Sequence, residues 1–477
     1  MSFPAEGRSP ADLLAALEQK KARDVPWAKG RVFAYIYDAG PEAMQLVKAA
    51  NALFLTENGL DPTSFPSVLE MERDVIAAAI DLMNGGPGAK GSMTSGGTES
   101  ILLSVKTARD HARAVRPEIQ KPEVVLPETT HPAFFKACAY FDVKPVVVPV
   151  DPSTFCASPS AMEAAITPDT IMIVGSAPSY ALGVIDPIRE LGEIALKHKL
   201  LFHVDCCVGG MYLPFARRLG HEIPDFDLSV PGVTQLSLDF HKYGYAAKGA
   251  SAILYKDGDL RKYQIFAWSG WIGYTIVNPT VQSSKSGGPI AACWAILHHL
   301  GMAGYLDLVR RTQAAAERLR EGLADIPGIE VLGEPRMNML SFASRTVDVF
   351  ALAEDMKERG WYIQPQFGFS SCPPNIHLSV GAGNAPNVEA FLVDLREAVA
   401  ARGAREPAAD AVELPAPLLA LFQDPPPDLF DKLASMIGTD GTTMPSRMDG
   451  INNLMNAIPP AVRDRLLVEY IHRLYAR

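Results

Sequence analysis

Nowhere in the 477 residues does an apolar run reach the length of a membrane-spanning helix, which needs roughly 18 to 20. The N-terminal stretch MSFPAEGRSPADLLAALEQKKARD has no apolar run ahead of a small-residue cleavage site, so no signal peptide is expected. Positive charge is in short supply: 44 Lys and Arg against 54 Asp and Glu give a formal net charge of −10. That balance argues against a chain that lives on nucleic acid or anionic membrane, while leaving room for a local basic pocket. Paired cysteines are missing as well. Cys138, Cys156, Cys206, Cys207, Cys293 and Cys372 show neither metal-type spacing nor a C-x-x-C motif. Reduced, mostly buried thiols in a cytoplasmic protein are the expectation. His203 and Asp205 have the spacing of two ligands on one strand face, but no further donors cluster with them, so no metal is expected.

What is present is a chain long enough for two or three domains. The first 85 residues read as a helical segment. Ser9 is placed as a cap before Pro10 and leucines at helical spacing, and a later helix stops at Gly85-Gly86. From about residue 86 to 315, the β-rich runs EVVLPE, KPVVVPV, TIMIVGSAP, LLFHVDCCVGG, TQLSLDFHK and SAILYKD alternate with amphipathic stretches. This pattern predicts an α/β domain with a mainly parallel sheet covered on both faces. The long helix that begins at GGPIAACWAILHHLG is expected to break near Gly301 or Gly304. Residues 316–477 read as a smaller α+β domain with a proline-rich joint at 413–430 and a terminal helical tail.

Three stretches carry chemistry. In GSMTSGGTESILLSVKTARD a glycine-containing turn enters a helix, so Ser95, Gly96, Gly97 and Thr98 form a candidate phosphate cradle, although an ordinary capped helix start would look similar. No Lys-Ser/Thr follows the glycines, which excludes a P-loop. In LLFHVDCCVGG an apolar strand ends at Asp205, where the ligand crevice of a parallel sheet lies and a carboxylate can meet a cationic ring nitrogen. In SLDFHKYGYAAKGAS, Lys242 sits in apolar surroundings that should weaken its preference for the charged form and make its amine nucleophilic toward an aldehyde. A cofactor with a phosphate, a basic ring nitrogen and an aldehyde is pyridoxal 5′-phosphate.

The order of these motifs, and above all TSGGTESILL, HVDCCVGG and HKYGYAAKGAS, resembles the fold type I pyridoxal-phosphate enzymes of the group II decarboxylase branch. Within that branch the resemblance is to the sphingosine-1-phosphate lyases, from about Gly30 to Arg402 and weakly through the last helix. It implies a large domain with a mainly parallel seven-stranded sheet and a smaller α+β C-terminal domain. It implies that Lys242 forms the Schiff base, that Asp205 holds the pyridine nitrogen and that His131 stacks on the ring. Gly97, Thr98 and His241 would help hold the cofactor phosphate. Tyr37 and Tyr180 match active-site tyrosines, and Lys248 matches a lysine for the phosphate of the substrate. Lys242, His131, Tyr37 and Tyr180 are then the acid–base candidates, unranked by sequence.

The implied activity is retro-aldol cleavage of a phosphorylated long-chain β-hydroxy amine, such as sphingosine 1-phosphate, to an aldehyde and phosphoethanolamine. The implied assembly is a homodimer with Tyr37, Asp61 and the Ser284-Lys285 loop contributing across the interface. Three positions depart from the lyase pattern. Asp61 stands where those lyases usually have histidine, SSK (Ser283-Ser284-Lys285) replaces GSR, and Ile276 replaces a tyrosine, with Tyr274 two residues earlier. All three bear on substrate recognition and none on the cofactor. The alternatives are an amino-acid decarboxylase and a cofactor-free homologue that acts as a binding partner.

Overall fold

Six of the β-rich runs become strands of one seven-stranded sheet in the computed structural model, which describes residues 3–403, 426, 428–436 and 447–475. Helices α1 (Pro10–Lys21), α2 (Pro41–Leu53) and α3 (Pro66–Leu82) precede it. Ser9 caps α1 as expected, its Oγ accepting the Asp12 N–H at 3.1 Å. The strands are β1 (Lys90–Thr94), β2 (Glu123–Pro127), β3 (Lys144–Val148), β4 (Thr170–Ser176), β5 (Leu201–Cys206), β6 (Gln235–Asp239) and β7 (Ser251–Tyr255), in the order β1-β7-β6-β5-β4-β2-β3. Strands β3, β2, β4, β5 and β6 pair in parallel, and β7 runs antiparallel to both β6 and β1. The strand missing from the sequence reading is β1, whose residues Lys-Gly-Ser-Met-Thr carry no apolar alternation. It is specified by fit to β7, since a Cβ at Gly91 would collide with Leu254.

Parallel strands need crossover connections, and these place helices on both faces. On one face α4 (Gly97–Val115) and α5 (Ala133–Phe141) bring Ile101, Val105 and Phe134 onto Val124, Leu126, Met172 and Val174. The crossovers also hold α6 (Pro159–Ala164), α7 (Ile188–His198) and α8 (Leu213–Arg218), and α9 (Gly258–Arg261) follows β7. On the opposite face Leu191, Leu213 and Ile290 join Val125, Ile173 and Val204. The period-two switch along β2 and β4 sends alternate residues into the two cores. Complete burial of each such side chain stabilises the fold by about 1.5–3 kcal/mol.

Helix α10 (Gly287–Ala324) leads from this sheet to a second one, and its backbone departs from helical geometry at Gly301 (φ 52°, ψ −171°), one of the two expected break points. The second sheet, antiparallel throughout, comprises β10 (Ile329–Val331), β11 (Met339–Ser344), β12 (Gln364–Gln366) and β13 (Asn375–Ser379) in the order β10-β11-β13-β12. Phe342, Ile376 and Leu378 pack there on Leu319 of α10, Phe350 of α11 (Val349–Glu358) and Phe391 of α12 (Val388–Gly403). In chain order the two sheets are separated by an antiparallel pair, β8 (Phe266–Trp268) and β9 (Ile276–Asn278), whose hairpin exposes Phe266, Trp268, Ile272 and Tyr274.

The proline-rich joint read at 413–430 lies largely outside the described residues. Helices over Leu429–Met436, Asp449–Ala457 and Pro460–Tyr475 share a small core of Leu429, Leu433, Ile458, Val462 and Leu466. They touch the second sheet's surroundings through Asn456, whose Oδ1 accepts the Gly368 N–H at 2.7 Å. Arg463 also stacks 4.6 Å from the Phe367 ring centroid. No described helix is long and apolar enough to cross a membrane.

Candidate active site

The carboxyl ends of β1, β2, β4, β5 and β6 all open on the same edge of the sheet, and the chemistry-bearing residues follow those ends. Strand β1 hands over to Ser95 and Gly96, and α4 begins at Gly97. The first N–H groups of a 19-residue helix have no acceptor within it and carry its positive dipole end, the arrangement that binds an anion. Glycine is required at position 97, because a Cβ there would lie 2.8 Å from both Asp239 Oδ2 and Cys207 Sγ. Ser100 Oγ rivets the turn, 2.7 Å from Thr94 Oγ1 and 2.8 Å from Ser251 Oγ.

Lys242 and His241 lie in the turn that joins β6 to β7. His241 donates its backbone N–H to Ala250 O at 3.0 Å and Ala246 donates to Phe240 O at 3.0 Å, which folds the turn back on itself. A Cβ at Gly244 would sit 2.5 Å from Phe240 O, so the turn also needs that glycine. Lys242 Nζ lies 2.9 Å from Asp239 Oδ2, and His241 Nε2 lies 3.6 Å from the same oxygen. Asp239 is the residue that sequence reasoning missed. Its signal was the three-residue spacing to Lys242 at a strand end.

This carboxylate reverses the electrostatic expectation for Lys242. Burial does press the ammonium toward the neutral form, but the Asp239 charge outweighs it and raises the Lys242 pKa above the ordinary lysine value. Burial likewise pushes the Asp239 carboxyl up, and Lys242 and His241 more than offset it, leaving the pKa below the usual carboxylate range. The cofactor-free lysine is therefore an ion-paired ammonium, not a neutral amine.

Asp205 ends β5 and is held through Oδ1, which accepts from Cys207 N–H at 2.9 Å and Ser237 Oγ at 3.2 Å. His131 Nδ1 accepts the Ala133 N–H at 3.2 Å, so it opens α5 and the neutral ring carries its proton on Nε2. Burial lowers its pKa, and the charges of Asp205, Lys242 and Asp239 also act on it, so all four lie close together. His203 belongs to the core instead: its ring is edge-on to Phe134, and burial pulls its pKa down to about 4.

Tyr37 and Tyr180 both lie near Lys242, whose charge acts on each. Tyr37 stands edge-on to Tyr243 with centroids 5.0 Å apart, and burial, partly countered by Lys242, raises its pKa to about 12. Tyr180 donates to Gln364 Oε1 at 2.9 Å and stacks on His377 at 4.7 Å, and burial raises its pKa too. Lys248 donates to His241 O at 3.0 Å and its Nζ lies 4.8 Å above the Tyr37 ring. Burial and then Lys242 lower its pKa.

The remaining expected substrate residues lie elsewhere in the chain. Asp61 is exposed and satisfies its own turn, accepting from Thr63 N–H at 2.8 Å, Thr63 Oγ1 at 2.6 Å and Ser64 Oγ at 3.1 Å. Lys285 is buried and committed to Glu72, with Nζ 2.7 and 2.6 Å from its two oxygens. Ser284 is exposed beside it. Asp61 and Lys285 line a cleft of about 1030 Å³ between α3 and the β8–β9 hairpin, together with Tyr274 and Ile276. None of the strand-end residues lines that cleft.

The Pyridoxal-dependent decarboxylase conserved domain matches residues 3–345. The chain is 41% identical over 391 residues to the sphingosine-1-phosphate lyase of Oryza sativa subsp. japonica, covering 80% of this chain and 71% of that one. The chain belongs to the sphingosine-1-phosphate lyase branch of the pyridoxal-dependent decarboxylase family. A lyase of the same name from Rattus norvegicus is 38% identical over 83% of this chain and 69% of its own. The solved sphingosine-1-phosphate lyase of Burkholderia pseudomallei superposes with a TM-score of 0.81 at 34% identity, covering 89% of this chain and 98% of that one. A model named for a C-terminal HTH domain of pyridoxal-dependent enzymes matches residues 408–473.

Members of this branch work with pyridoxal 5′-phosphate, and the residues at these strand ends fit it. Among the described residues, Thr129 Oγ1, Thr130 Oγ1, Ser179 Oγ and His241 Nδ1 are buried polar atoms without a protein partner, and they follow the ends of β2, β4 and β6. The His241 ring edge lies 3.6 Å from where a Cβ on Gly96 would be, which puts the orphaned Nδ1 beside the anion cradle. The cradle, the Asp205 carboxylate and the Lys242 amine match the phosphate, ring nitrogen and aldehyde of the cofactor.

Proposed function

We propose that the chain cleaves the Cα–Cβ bond of a phosphorylated long-chain β-hydroxy amine such as sphingosine 1-phosphate, releasing a long-chain aldehyde and phosphoethanolamine. The observation that carries this is the pair of neighbouring amines, Lys242 and Lys248. Lys242 is neutralised by Asp239, whereas among the described residues Lys248 is held only by a carbonyl and a ring face, leaving a cation for an anionic substrate group. The similarity to sphingosine-1-phosphate lyases over most of the chain supports the same reading.

When bound, pyridoxal 5′-phosphate supplies an aldehyde that condenses with the substrate amine and a ring that draws electrons from the bond to be broken. Asp205 would keep the ring nitrogen protonated, and His131 would lie against the ring as a neutral imidazole. Ser95, Gly96, Gly97, Thr98 and His241 hold the phosphate. Tyr37, held as a neutral phenol, gives an O–H donor to the substrate hydroxyl, and Tyr180, whose own O–H goes to Gln364 Oε1, offers that hydroxyl an acceptor oxygen. Lys242, freed as an amine beside Asp239, would take the hydroxyl proton as the Cα–Cβ bond breaks and, as the resulting ammonium, return it to the product amine's carbon.

We further propose a cytoplasmic homodimer. Its support is the apolar hairpin at Phe266, Trp268, Trp271 and Ile272, which one chain leaves exposed beside the cleft that holds Asp61 and Lys285. A second copy would cover the hairpin and bring those substrate residues to its neighbour's site, with the chain divided into units at 1–85, 86–315 and 316–477. The net charge of −10 supports a reading without a nucleic-acid partner. Incubation of the holoenzyme with phosphorylated and unphosphorylated long-chain amines and with amino acids tests the reaction. Long-chain aldehyde from the phosphorylated amine is the expected product; carbon dioxide from an amino acid would replace this reading with a decarboxylase.

A further inference from the structure

Glu99 is a buried carboxylate with no part in the chemistry above. It lies in the first turn of α4 with 6% of its surface exposed. Its Oε2 accepts the Ser95 N–H at 2.6 Å, inside the phosphate cradle. Its Oε1 accepts the Val281 N–H at 2.7 Å and the Gln282 N–H at 3.4 Å, from a segment 182 and 183 residues further along the chain. Val281 and Gln282 form the foot of the β8–β9 hairpin, three and four residues beyond the end of β9 at Asn278. One side chain thus satisfies donors in two distant segments, and both of its oxygens are used.

We infer that Glu99 is a positioning residue that couples occupation of the cofactor phosphate site to the seating of the β8–β9 hairpin. By taking the Ser95 N–H it sets the path of the cradle, leaving the first N–H groups of α4 to the phosphate. By taking the N–H of Val281 it sets the foot of the hairpin against the same helix turn. Displacing either segment leaves half of the buried Glu99 carboxylate unsatisfied, so each conformation favours the other. The inference rests on the cofactor assignment, since the phosphate is what orders the cradle.

The substitution Glu99→Gln tests it, because an amide has one oxygen to accept with and turns an N–H₂ toward one of the donors. Hydrogen exchange followed by mass spectrometry is measured with and without pyridoxal 5′-phosphate, alongside the dissociation constant from absorbance titration. In the wild type, cofactor binding slows exchange over 276–284. In Glu99→Gln the dissociation constant rises by about tenfold or more and the hairpin foot no longer responds to the cofactor, while exchange across β4 and β5 stays as in the wild type. Val281→Pro removes a donor outside the cradle and covers the case in which Glu99→Gln does not fold; its affinity for the cofactor also falls. Wild-type affinity in either variant, or a hairpin foot in the wild type that ignores bound cofactor, overturns the coupling. A wild-type protein that binds no cofactor would instead overturn the assignment beneath it.

Discussion

Replacing Asp239 by Asn isolates the ion pair that holds Lys242. At a separation of 2.9 Å and an effective dielectric of about 20, the attraction is about 6 kcal/mol, most of it offset by taking both groups out of water. Removing one partner leaves a buried charge, which costs about 3–5 kcal/mol. With an unfolding entropy of about 2.1 cal/mol/K per residue over 477 residues, about 1 kcal/mol/K in all, the Tm of the cofactor-free protein should fall by about 3–5 °C. Lys242 has a raised pKa, so its contribution is present below the unfolded lysine value of about 10.4 and fades as pH climbs through the higher folded value. Asp239 has a lowered pKa, so its contribution is present above about 3.9 and fades as pH falls through the folded value. The drop should therefore be constant between about pH 5 and 9. Adding Lys242→Met to Asp239→Asn should restore part of the loss, because the penalty is an unpaired charge. Calorimetry of the wild type, both single variants and the double variant gives the coupling directly. Additive effects, or an Asp239→Asn protein as stable as the wild type, would refute the pairing.

Three other outcomes follow from the same geometry. Gly97→Ala places a methyl 2.8 Å from Asp239 Oδ2 and Cys207 Sγ; overpacking costs about 1–3 kcal/mol, seen as a lower Tm and weaker cofactor retention in absorbance titration. Lys248→Met should lower kcat/KM for a phosphorylated amine by about 10- to 100-fold, the worth of a charge-assisted hydrogen bond, chiefly through KM, and leave the unphosphorylated amine unaffected. Acid should destabilise the fold, because burial pulls His203 and His377 down to about 4, so the unfolded chain takes up protons that the folded chain refuses. Asp186, pushed up to about 6, works the other way but is one group against two. Tm measured from pH 7 down to 4.5 should therefore fall, and His203→Gln should flatten the slope.

The chemical order of the site was legible because glycine, aspartate and lysine at strand ends leave local marks. Six strands could be read from β-branched runs, and the Gly301 break from a glycine inside a helical pattern. Strand β1 could not be read, since Lys90–Thr94 gains its strand character only from pairing with β7. The β8–β9 hairpin was equally silent: its apolar residues are exposed in the single chain and lack the alternation of a half-buried strand. The charge state of Lys242 was misjudged for a related reason. Apolar neighbours in sequence suggested a neutral amine, but the deciding group, Asp239, acts through a distance of 2.9 Å that only the turn after β6 creates. The partners of Glu99 and Lys285 are likewise long-range and carry no sequence signature.

The central claim is that Lys242, among all the amines of this cavity, bonds to the cofactor. Borohydride reduction of the holoenzyme followed by proteolysis and mass spectrometry tests it most directly. The mass of a reduced phosphopyridoxyl group on Lys242, and its absence from Lys248, is the predicted result. Label on Lys248 or Lys285, or no stoichiometric label at all, would contradict the account.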